Sequence, residues 1–172
     1  MKIEKVITGS LRENCYIIGI DDKVLVVDPG DDIDKIRQII NNRKVLGILI
    51  THRHEDHIGA LSYFSNTIYE KNNLEEKEYI IDKFKFKTIF TPGHTSDSVS
   101  YYFEEENILF SGDFIFYETI GRCDLPTGNY NIMKESIKKI KKYPKNTIIY
   151  PGHDRETTLD HEINNNIYFK GV

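Results

Sequence analysis

The amino-acid sequence predicts an α/β protein in which β-strands alternate with amphipathic helices. Short apolar runs of strand length recur along the chain, stretches of helical periodicity separate several of them, and turn residues end both kinds of segment. The hydrophobic content of 39% and the charged content of 29% are typical of a globular protein with a sizeable core. No linker, low-complexity tract or internal repeat divides the sequence, so we expect one domain over residues 1–172.

The N-terminal half begins with three apolar segments that predict strands, 3–8, 15–20 and 23–28. A helix is predicted over 31–42, because isoleucines recur on one helical face and acidic residues occupy the first turn. The apolar run 45–51 predicts a buried strand, and a short helix is expected over 57–64.

The C-terminal half continues the alternation. Residues 84–90 alternate apolar and polar side chains, which predicts a strand with one exposed face. Residues 98–103 and 107–111 predict a hairpin over an acidic turn. The remaining predicted elements are a helix over 132–143 that Pro144 ends, a strand over 147–150 and a terminal helix over 157–169.

Charge and hydropathy exclude several classes of function. The net charge of −4 provides no general attraction for nucleic acid or for an anionic membrane. The longest apolar runs are far shorter than a membrane span, and the N-terminus lacks an apolar signal region. We therefore expect a cytoplasmic protein that acts on a small molecule, with its oligomeric state left open. Cys15 and Cys123 are far apart in the sequence and are predicted to be free thiols.

The strongest chemical signal comes from histidines and aspartates. Residues 51–57 contain three of the six histidines and one aspartate, and two further histidines, His94 and His153, follow Pro-Gly. Imidazole and carboxylate are ligands that zinc, iron and manganese accept. This density of donors indicates more than one metal ion and therefore a hydrolytic metal centre.

Each candidate ligand segment follows directly on a predicted strand. Strand 45–51 leads to His52, strand 84–90 to His94, strand 107–111 to Asp113 and strand 147–150 to His153. Strands of one sheet that end in this way converge on one edge, where open α/β sheets build their sites. We therefore expect these side chains to meet at the edge of one sheet.

The order of the motifs, His-x-His-x-Asp-His, Pro-Gly-His, Gly-Asp and Pro-Gly-His, resembles the metallo-β-lactamase superfamily over about residues 8–168. Within that superfamily the chain is most similar to the short glyoxalase II-like hydrolases. The segments that carry this likeness are Asn14-Cys15-Tyr16, Val27-Asp28-Pro29-Gly30, Thr91-Pro92-Gly93-His94-Thr95, Gly112-Asp113, Ile120-Gly121-Arg122-Cys123-Asp124-Leu125-Pro126, and Pro151-Gly152-His153 with Glu156-Thr157-Thr158. The resemblance implies a four-layer αβ/βα sandwich with the site between two sheets.

The resemblance also implies a set of site residues and two divalent metal ions, zinc first, with iron or manganese as alternatives. The implied ligands are His52, His54 and His94 for the first metal, Asp56, His57 and His153 for the second, and Asp113 as the bridge. Asp28 would orient a ligand histidine, and Arg122 would meet the substrate near the metals. Tyr117 and Tyr130 flank the Gly-Arg-Cys-Asp segment and are candidates for lining the pocket.

The implied activity is hydrolysis of a thioester such as S-lactoylglutathione by a metal-bridging hydroxide, with Asp56 and Asp113 as the catalytic carboxylates. Glyoxalase II proper carries an extra helical domain after the last histidine, and the short segment 154–172 predicts that this domain is absent. Two alternatives share these ligands. One is a persulfide dioxygenase that uses a single iron, and the other is a hydrolase of lactones or other esters.

Overall fold

The computed structural model describes all residues from Met1 to Val172, and two β-sheets form its centre. The first sheet consists of β1 (Lys2–Thr8), β2 (Glu13–Ile20), β3 (Lys23–Val27), β4 (Lys44–Leu49) and β5 (Ile68–Tyr69), in that spatial order. The pairs β1–β2 and β2–β3 are antiparallel, whereas β3–β4 and β4–β5 are parallel.

The second sheet has six strands and is accompanied by a two-stranded ribbon. The remaining strands are β6 (Glu78–Ile81), β7 (Phe84–Phe90), β8 (Val99–Phe103), β9 (Ile108–Gly112), β10 (Ile115–Phe116), β11 (Thr119–Ile120), β12 (Ile148–Pro151) and β13 (Thr157–Thr158). Their order in the sheet is β13-β12-β9-β8-β7-β6, and β10 pairs with β11 alone. Strands β7, β9 and β12 run in the same direction, so their carboxyl ends meet at one edge.

Helices cover the outer face of each sheet. The helices are α1 (Ile33–Ile40), α2 (Glu55–Ile58), α3 (Tyr130–Ile140) and α4 (Leu159–Asn165). Three apolar clusters fill the spaces between the layers. Neighbouring residues of a strand point to opposite faces of the sheet, so one strand can contribute to two clusters. Ile17 packs with α1, whereas its neighbour Ile18 packs between the two sheets, and a third cluster joins the second sheet to α3 and α4. This arrangement confirms the predicted four-layer αβ/βα sandwich.

The cluster between the sheets contains Phe110, which is fully buried and packs against the rings of Tyr16 and Tyr150 at centroid distances of 5.2 and 5.3 Å. We expect Phe110→Ala to lower the free energy of unfolding by about 3–5 kcal/mol, because it leaves a cavity in a dry core. Urea denaturation measures this loss. Ile167→Ala is the matched control, since Ile167 is 68% exposed, and its effect should stay within about 0.5 kcal/mol. Equal losses in the two variants would contradict the assignment of Phe110 to the core.

All four predicted helices have different bounds in the structure. The helix predicted over 31–42 is Ile33–Ile40 and the one predicted over 132–143 is Tyr130–Ile140, whereas the other two differ more. The expected helix over 57–64 is instead one α-helical turn, α2, followed by a 3-10 turn at Leu61–Tyr63. The helix is interrupted because the N–H of Ala60 donates to the carbonyls of Pro29 and Gly30. The terminal helix expected over 157–169 begins at Leu159, because Thr157 and Thr158 pair with β12. The short strands β5, β6, β10 and β11 were not predicted.

The expectation that one sheet carries every ligand segment is wrong. Strand β4 belongs to the first sheet, whereas β7, β9 and β12 belong to the second. The two edges are joined by backbone hydrogen bonds, from Val99 N–H to the Thr51 carbonyl at 2.8 Å and from Asn14 N–H to the Gly152 carbonyl at 2.7 Å. The ligand segments therefore converge at the seam between the sheets.

Two other expectations concern cysteines and membranes. Cys15 and Cys123 are free thiols, as predicted, the first buried and the second half-buried. No helix has the length and apolar character needed to cross a bilayer.

Candidate metal centre

The first group of predicted ligands, His52, His54 and His94, lies where β4 and β7 end. The Nε2 atom of His52 is 3.1 Å from Nδ1 of His54, and that Nδ1 is 3.0 Å from Nε2 of His94. Nitrogen ligands placed tetrahedrally about 2.0–2.1 Å from one ion are themselves about 3.3 Å apart. The three imidazoles could therefore hold a single metal ion.

The second group, Asp56, His57 and His153, lies beside the first. The Oδ2 atom of Asp56 is 3.2 Å from Nε2 of His153 and 3.8 Å from Nε2 of His57. This group could also hold one ion. The sequence places His57 only five residues after His52, but His153 arrives from the loop that follows β12.

Asp113 lies between the two groups and faces both. Its Oδ1 is 3.2 Å from Nε2 of His57, and its Oδ2 is 3.5 Å from Nε2 of His94 and 3.7 Å from Nε2 of His153. The buried Nε2 of His57 and Oδ1 of Asp113 have no hydrogen-bond partner. Buried polar atoms are normally paired, so these two atoms, each of which can offer a lone pair, fit a bound cation.

Glycines permit this close approach. Gly112, which precedes Asp113, has φ +51°, and a Cβ there would lie 2.2 Å from Oγ1 of Thr51. A Cβ on Gly152 would lie 2.4 Å from Oδ1 of Asp113. Only glycine fits these positions without displacing the predicted ligands.

Three of the ligand imidazoles are held through their second ring nitrogen. Nδ1 of His57 lies 2.9 Å from Oδ2 of Asp28, as the resemblance implied for this acid. Nδ1 of His94 lies 2.7 Å from the carbonyl of Arg122. Nδ1 of His52 lies 3.1 Å from Oγ1 of Thr51. Such contacts set the tautomer and direction of a ligand imidazole.

The parts played by Thr51 and by the Arg122 carbonyl were not foreseen from the sequence. Thr51 also donates its N–H and its hydroxyl to Asp28, at 2.7 and 2.6 Å. Its position immediately before His52 was the available signal. Glu13 was also missed. It is fully buried, its Oε1 lies 4.0 Å from Nδ1 of His57, and burial raises its pKa well above the usual range.

The two histidine groups differ in protonation. Burial lowers the pKa of His52 and of His54, so both rings are neutral at pH 7 and present lone pairs. Burial also opposes charge on His57, but the carboxylate of Asp113 outweighs it and raises the pKa of His57. A hydrogen bond from His153 lowers the pKa of Asp56, which is therefore ionised. The second group thus concentrates negative charge beside its imidazoles.

The predicted ligands open into a cavity of about 580 Å³, the metal cavity. Leu11, Phe116 and Leu125 form its apolar wall, and Arg122 lies at its rim. The Arg122 guanidinium is held by Asp124 through two contacts of 2.8 Å. Arg122 therefore lines the same cavity as the predicted ligands, and its contact with a substrate stays a prediction. Leu11, Phe116 and Leu125 were not foreseen.

The structure does not place the two candidate tyrosines in the metal cavity. The ring of Tyr117 stacks with His161 at a centroid distance of 4.8 Å and lies beneath the guanidinium of Arg155. Tyr130 does not line the metal cavity but lines a neighbouring cavity of about 410 Å³ with Cys123 and Tyr168, which shares Gly121 and Arg122 with the metal cavity. The expectation that these rings line the metal cavity is corrected, because each packs on a different neighbour.

The family model described as the metallo-beta-lactamase superfamily matches residues 8–72 and 69–153 of this chain. The chain is 33% identical to the probable metallo-hydrolase YqgX of Bacillus subtilis, over 99% of each chain. It is 29% identical to the hydroxyacylglutathione hydrolase GloC of Haemophilus influenzae, over 96% of this chain and 97% of that one.

Several solved structures have the same fold as this chain. The BLEG-1 B3 metallo-beta-lactamase superposes with a TM-score of 0.94 at 31% identity, covering 99% of this chain and all of that one. ETHE1 from Myxococcus xanthus superposes with a TM-score of 0.90 at 26% identity, covering 99% of this chain and 85% of that one. TTHA1623 in a di-iron-bound form superposes with a TM-score of 0.86 at 27% identity, covering 96% and 99%.

Proposed function

The chain belongs to the metallo-beta-lactamase superfamily of metallo-hydrolases, and we propose that it is a dinuclear hydrolase of thioesters such as S-lactoylglutathione. One observation carries this proposal: two groups of side chains that could each hold a metal ion lie side by side, with the carboxylate of Asp113 facing both. The similarity to GloC, a hydroxyacylglutathione hydrolase, supports the choice of substrate.

The proposed residues would hold the ions as two adjacent sites, His52, His54 and His94 in one and Asp56, His57 and His153 in the other, with Asp113 between them. Two divalent ions bound there would supply an activated water and polarise the carbonyl oxygen of the substrate. Zinc is the proposed metal, because these nitrogen and oxygen ligands suit it. Iron is the alternative, which the di-iron-bound form of TTHA1623 supports.

The other side chains position and shield the reacting groups. Asp28, the Arg122 carbonyl and Thr51 fix the directions of three imidazoles. The apolar wall of Leu11, Phe116 and Leu125 keeps water from one side of the metal cavity and offers a surface for the nonpolar part of the substrate. Asp56, ionised and half-exposed to the cavity, can also accept a hydrogen bond from the attacking water.

The test is hydrolysis of S-D-lactoylglutathione by protein whose metal content has been measured. We expect the wild-type protein to bind two metal ions per chain and to hydrolyse the substrate, which is seen as a fall in the thioester absorbance. His54→Ala should not hydrolyse it. Glu105→Ala is the control, because Glu105 is exposed in the turn between β8 and β9, at the opposite end of β9 from Asp113. It should keep the wild-type rate. Two bound metals without thioester hydrolysis would overturn the proposed substrate class.

A second candidate activity follows from the first ligand group. His52, His54 and His94 could hold one ion without the second group, and a single iron there would suit a persulfide dioxygenase. One iron per chain with oxygen uptake from glutathione persulfide, and no thioester hydrolysis, would favour it. Nitrocefin and a simple lactone belong in the same assay, since BLEG-1 is a metallo-beta-lactamase.

A further inference from the structure

We propose that a cavity beside His153 binds a carboxylate group of the substrate through Arg12 and Arg155. This proposal deepens the proposed function and rests on it, because it names the class of thioester: one that carries a carboxylate a few bonds from its scissile bond. The cavity has a volume of about 410 Å³ and is called the His153 cavity below. Its lining residues are Ile7, Leu11, Arg12, Asn14, His153, Asp154 and Arg155.

The His153 cavity is continuous with the metal cavity. Leu11 and His153 line both of them. His153 belongs to the second ligand group, so a substrate whose carbonyl lies at the predicted ligands can extend past His153 without leaving the protein surface. The cavity is thus an extension of the proposed active site and not an isolated surface depression.

The arginines of this cavity lack the partners that other arginines of the chain have. Arg43, Arg53 and Arg122 are paired with Glu4, Glu70 and Asp124, at 2.7, 2.6 and 2.8 Å. The remaining arginines are Arg12, Arg37 and Arg155, and two of these three line the His153 cavity. In a chain of net charge −4, two arginines that line one cavity and form no ion pair are available for an anionic ligand.

Nearby acids are engaged elsewhere. Glu156, next to Arg155 in the sequence, holds Nζ of Lys5 at 3.0 Å. Glu13, next to Arg12, is buried and accepts a hydrogen bond from Oγ1 of Thr8 at 2.7 Å. Asp154 lines the cavity, but its carboxylate pairs with neither guanidinium. Glu118 is close enough to Arg155 for their charges to interact, but its carboxylate pairs with Nε2 of His161 at 2.9 Å. Neither guanidinium of the cavity therefore forms an ion pair with a carboxylate of the chain.

The Arg155 guanidinium is held in position by stacking. Its Cζ lies 3.5 Å from the centroid of the Tyr117 ring, and Tyr117 itself stacks with His161. Stacking orients the planar guanidinium and leaves its N–H edge free for a carboxylate. Tyr117 thus has a positioning role in this cavity, although it does not line the metal cavity.

Matched thioesters test the proposal. One pair varies the leaving group, S-acetyl-3-mercaptopropionate against its neutral methyl ester. The other varies the acyl group, the S-ethyl monothioester of succinate against S-ethyl thiobutyrate. In all four thioesters water replaces the thiolate at the carbonyl carbon, so the reaction is the same and only the charge differs within a pair. We expect a preference of at least about tenfold in kcat/KM for the anionic member of one pair, mostly in KM, as an Arg–carboxylate contact predicts. The pair that shows it identifies the side that carries the carboxylate.

The variant Arg12→Gln/Arg155→Gln should lose that preference, through a fall in kcat/KM for the anionic substrate alone. Arg37→Gln is the matched control, because Arg37 is also free of an ion pair but lies over Tyr63, outside both cavities. It should keep the preference. High salt should weaken the preference in the wild-type protein. A preference that survives in the double variant, or that is absent from both pairs in the wild type, would overturn the proposal.

Binding separates failure of this proposal from failure of the proposed function. If the protein hydrolyses neutral and anionic thioesters equally well, the proposed hydrolase activity is supported and the proposed carboxylate site in the His153 cavity is refuted. If no thioester is hydrolysed, the hydrolase assignment fails, and calorimetry with S-methylglutathione then decides on the cavity. Binding at least about tenfold weaker in Arg12→Gln/Arg155→Gln than in Arg37→Gln would support it. Equal binding by these two variants would refute it.

Discussion

Asp113→Ala is expected to lower kcat/KM for the thioester by at least about 1,000-fold, the equivalent of about 4 kcal/mol of transition-state stabilisation. The carboxylate of Asp113 faces both ligand groups, at 3.2 Å from His57 and 3.5 Å from His94. Its removal leaves the positive charge of two ions without the shared carboxylate. We expect fewer than two metal ions per chain in this variant.

Metal analysis and thioester hydrolysis, measured on the same sample, test this expectation. Asp22→Ala is the matched control, because Asp22 is exposed in the turn between β2 and β3. It should retain both metals and the wild-type rate. A thermal unfolding curve of each variant shows whether the fold is intact. If Asp113→Ala kept two metals and full activity, the bridging role would be disproved.

Asp28→Asn is expected to lower activity by about 10- to 100-fold, the usual range for groups that orient metal ligands. Asp28 is 2% exposed and accepts hydrogen bonds from both the N–H and the hydroxyl of Thr51. As a carboxylate it also accepts a hydrogen bond from Nδ1–H of His57, so that Nε2, which faces Asp56 and Asp113, is the nitrogen available to a metal.

An asparagine at position 28 presents an amide N–H₂ to one of these donors. If that group faces His57, it forces Nδ1 to become the acceptor, and the proton moves to Nε2. A protonated Nε2 cannot bind a metal. The ion held by Asp56, His57 and His153 should therefore be lost before the ion held by the first group. This loss should be greatest at a low concentration of free metal.

Metal titration of Asp28→Asn, followed by kcat/KM at each metal concentration, measures this effect. Asp34→Asn is the matched control, since it makes the same change at an exposed position of α1. A high concentration of the metal ion should partly restore the activity of Asp28→Asn. Wild-type affinity for both metals in this variant would show that Asp28 does not set the tautomer of His57.

The fold class and the proposed ligands were accessible from the sequence because their signals are local. Alternating apolar residues mark β7, and the isoleucines of α1 repeat at helical spacing. Three histidines and an aspartate within one strand-to-helix turn are a metal signal in any tertiary context. Asp28 was also identified, through its place in Val-Asp-Pro-Gly at the end of β3.

Other features depended on partners distant in the sequence. The split of α2 from the following 3-10 turn depends on Pro29 and Gly30, which accept the N–H of Ala60. Thr157 forms a strand because β12 offers it a free edge. The division of the strands between two sheets likewise depends on pairing, which local propensity does not determine.

The sequence by itself therefore determined which side chains are the proposed metal ligands, since their chemistry and spacing lie within short motifs. Only the tertiary structure decided what surrounds them. Arg12 and Arg155 line one cavity because hydrogen bonds of Asn14 join the segment after β1 to the segment after β12. Its N–H bonds the Gly152 carbonyl, and its side chain bonds the carbonyls of Pro151 and Asp154 at 3.0 and 2.9 Å. These contacts join residues more than 130 positions apart, a distance over which no periodicity carries information.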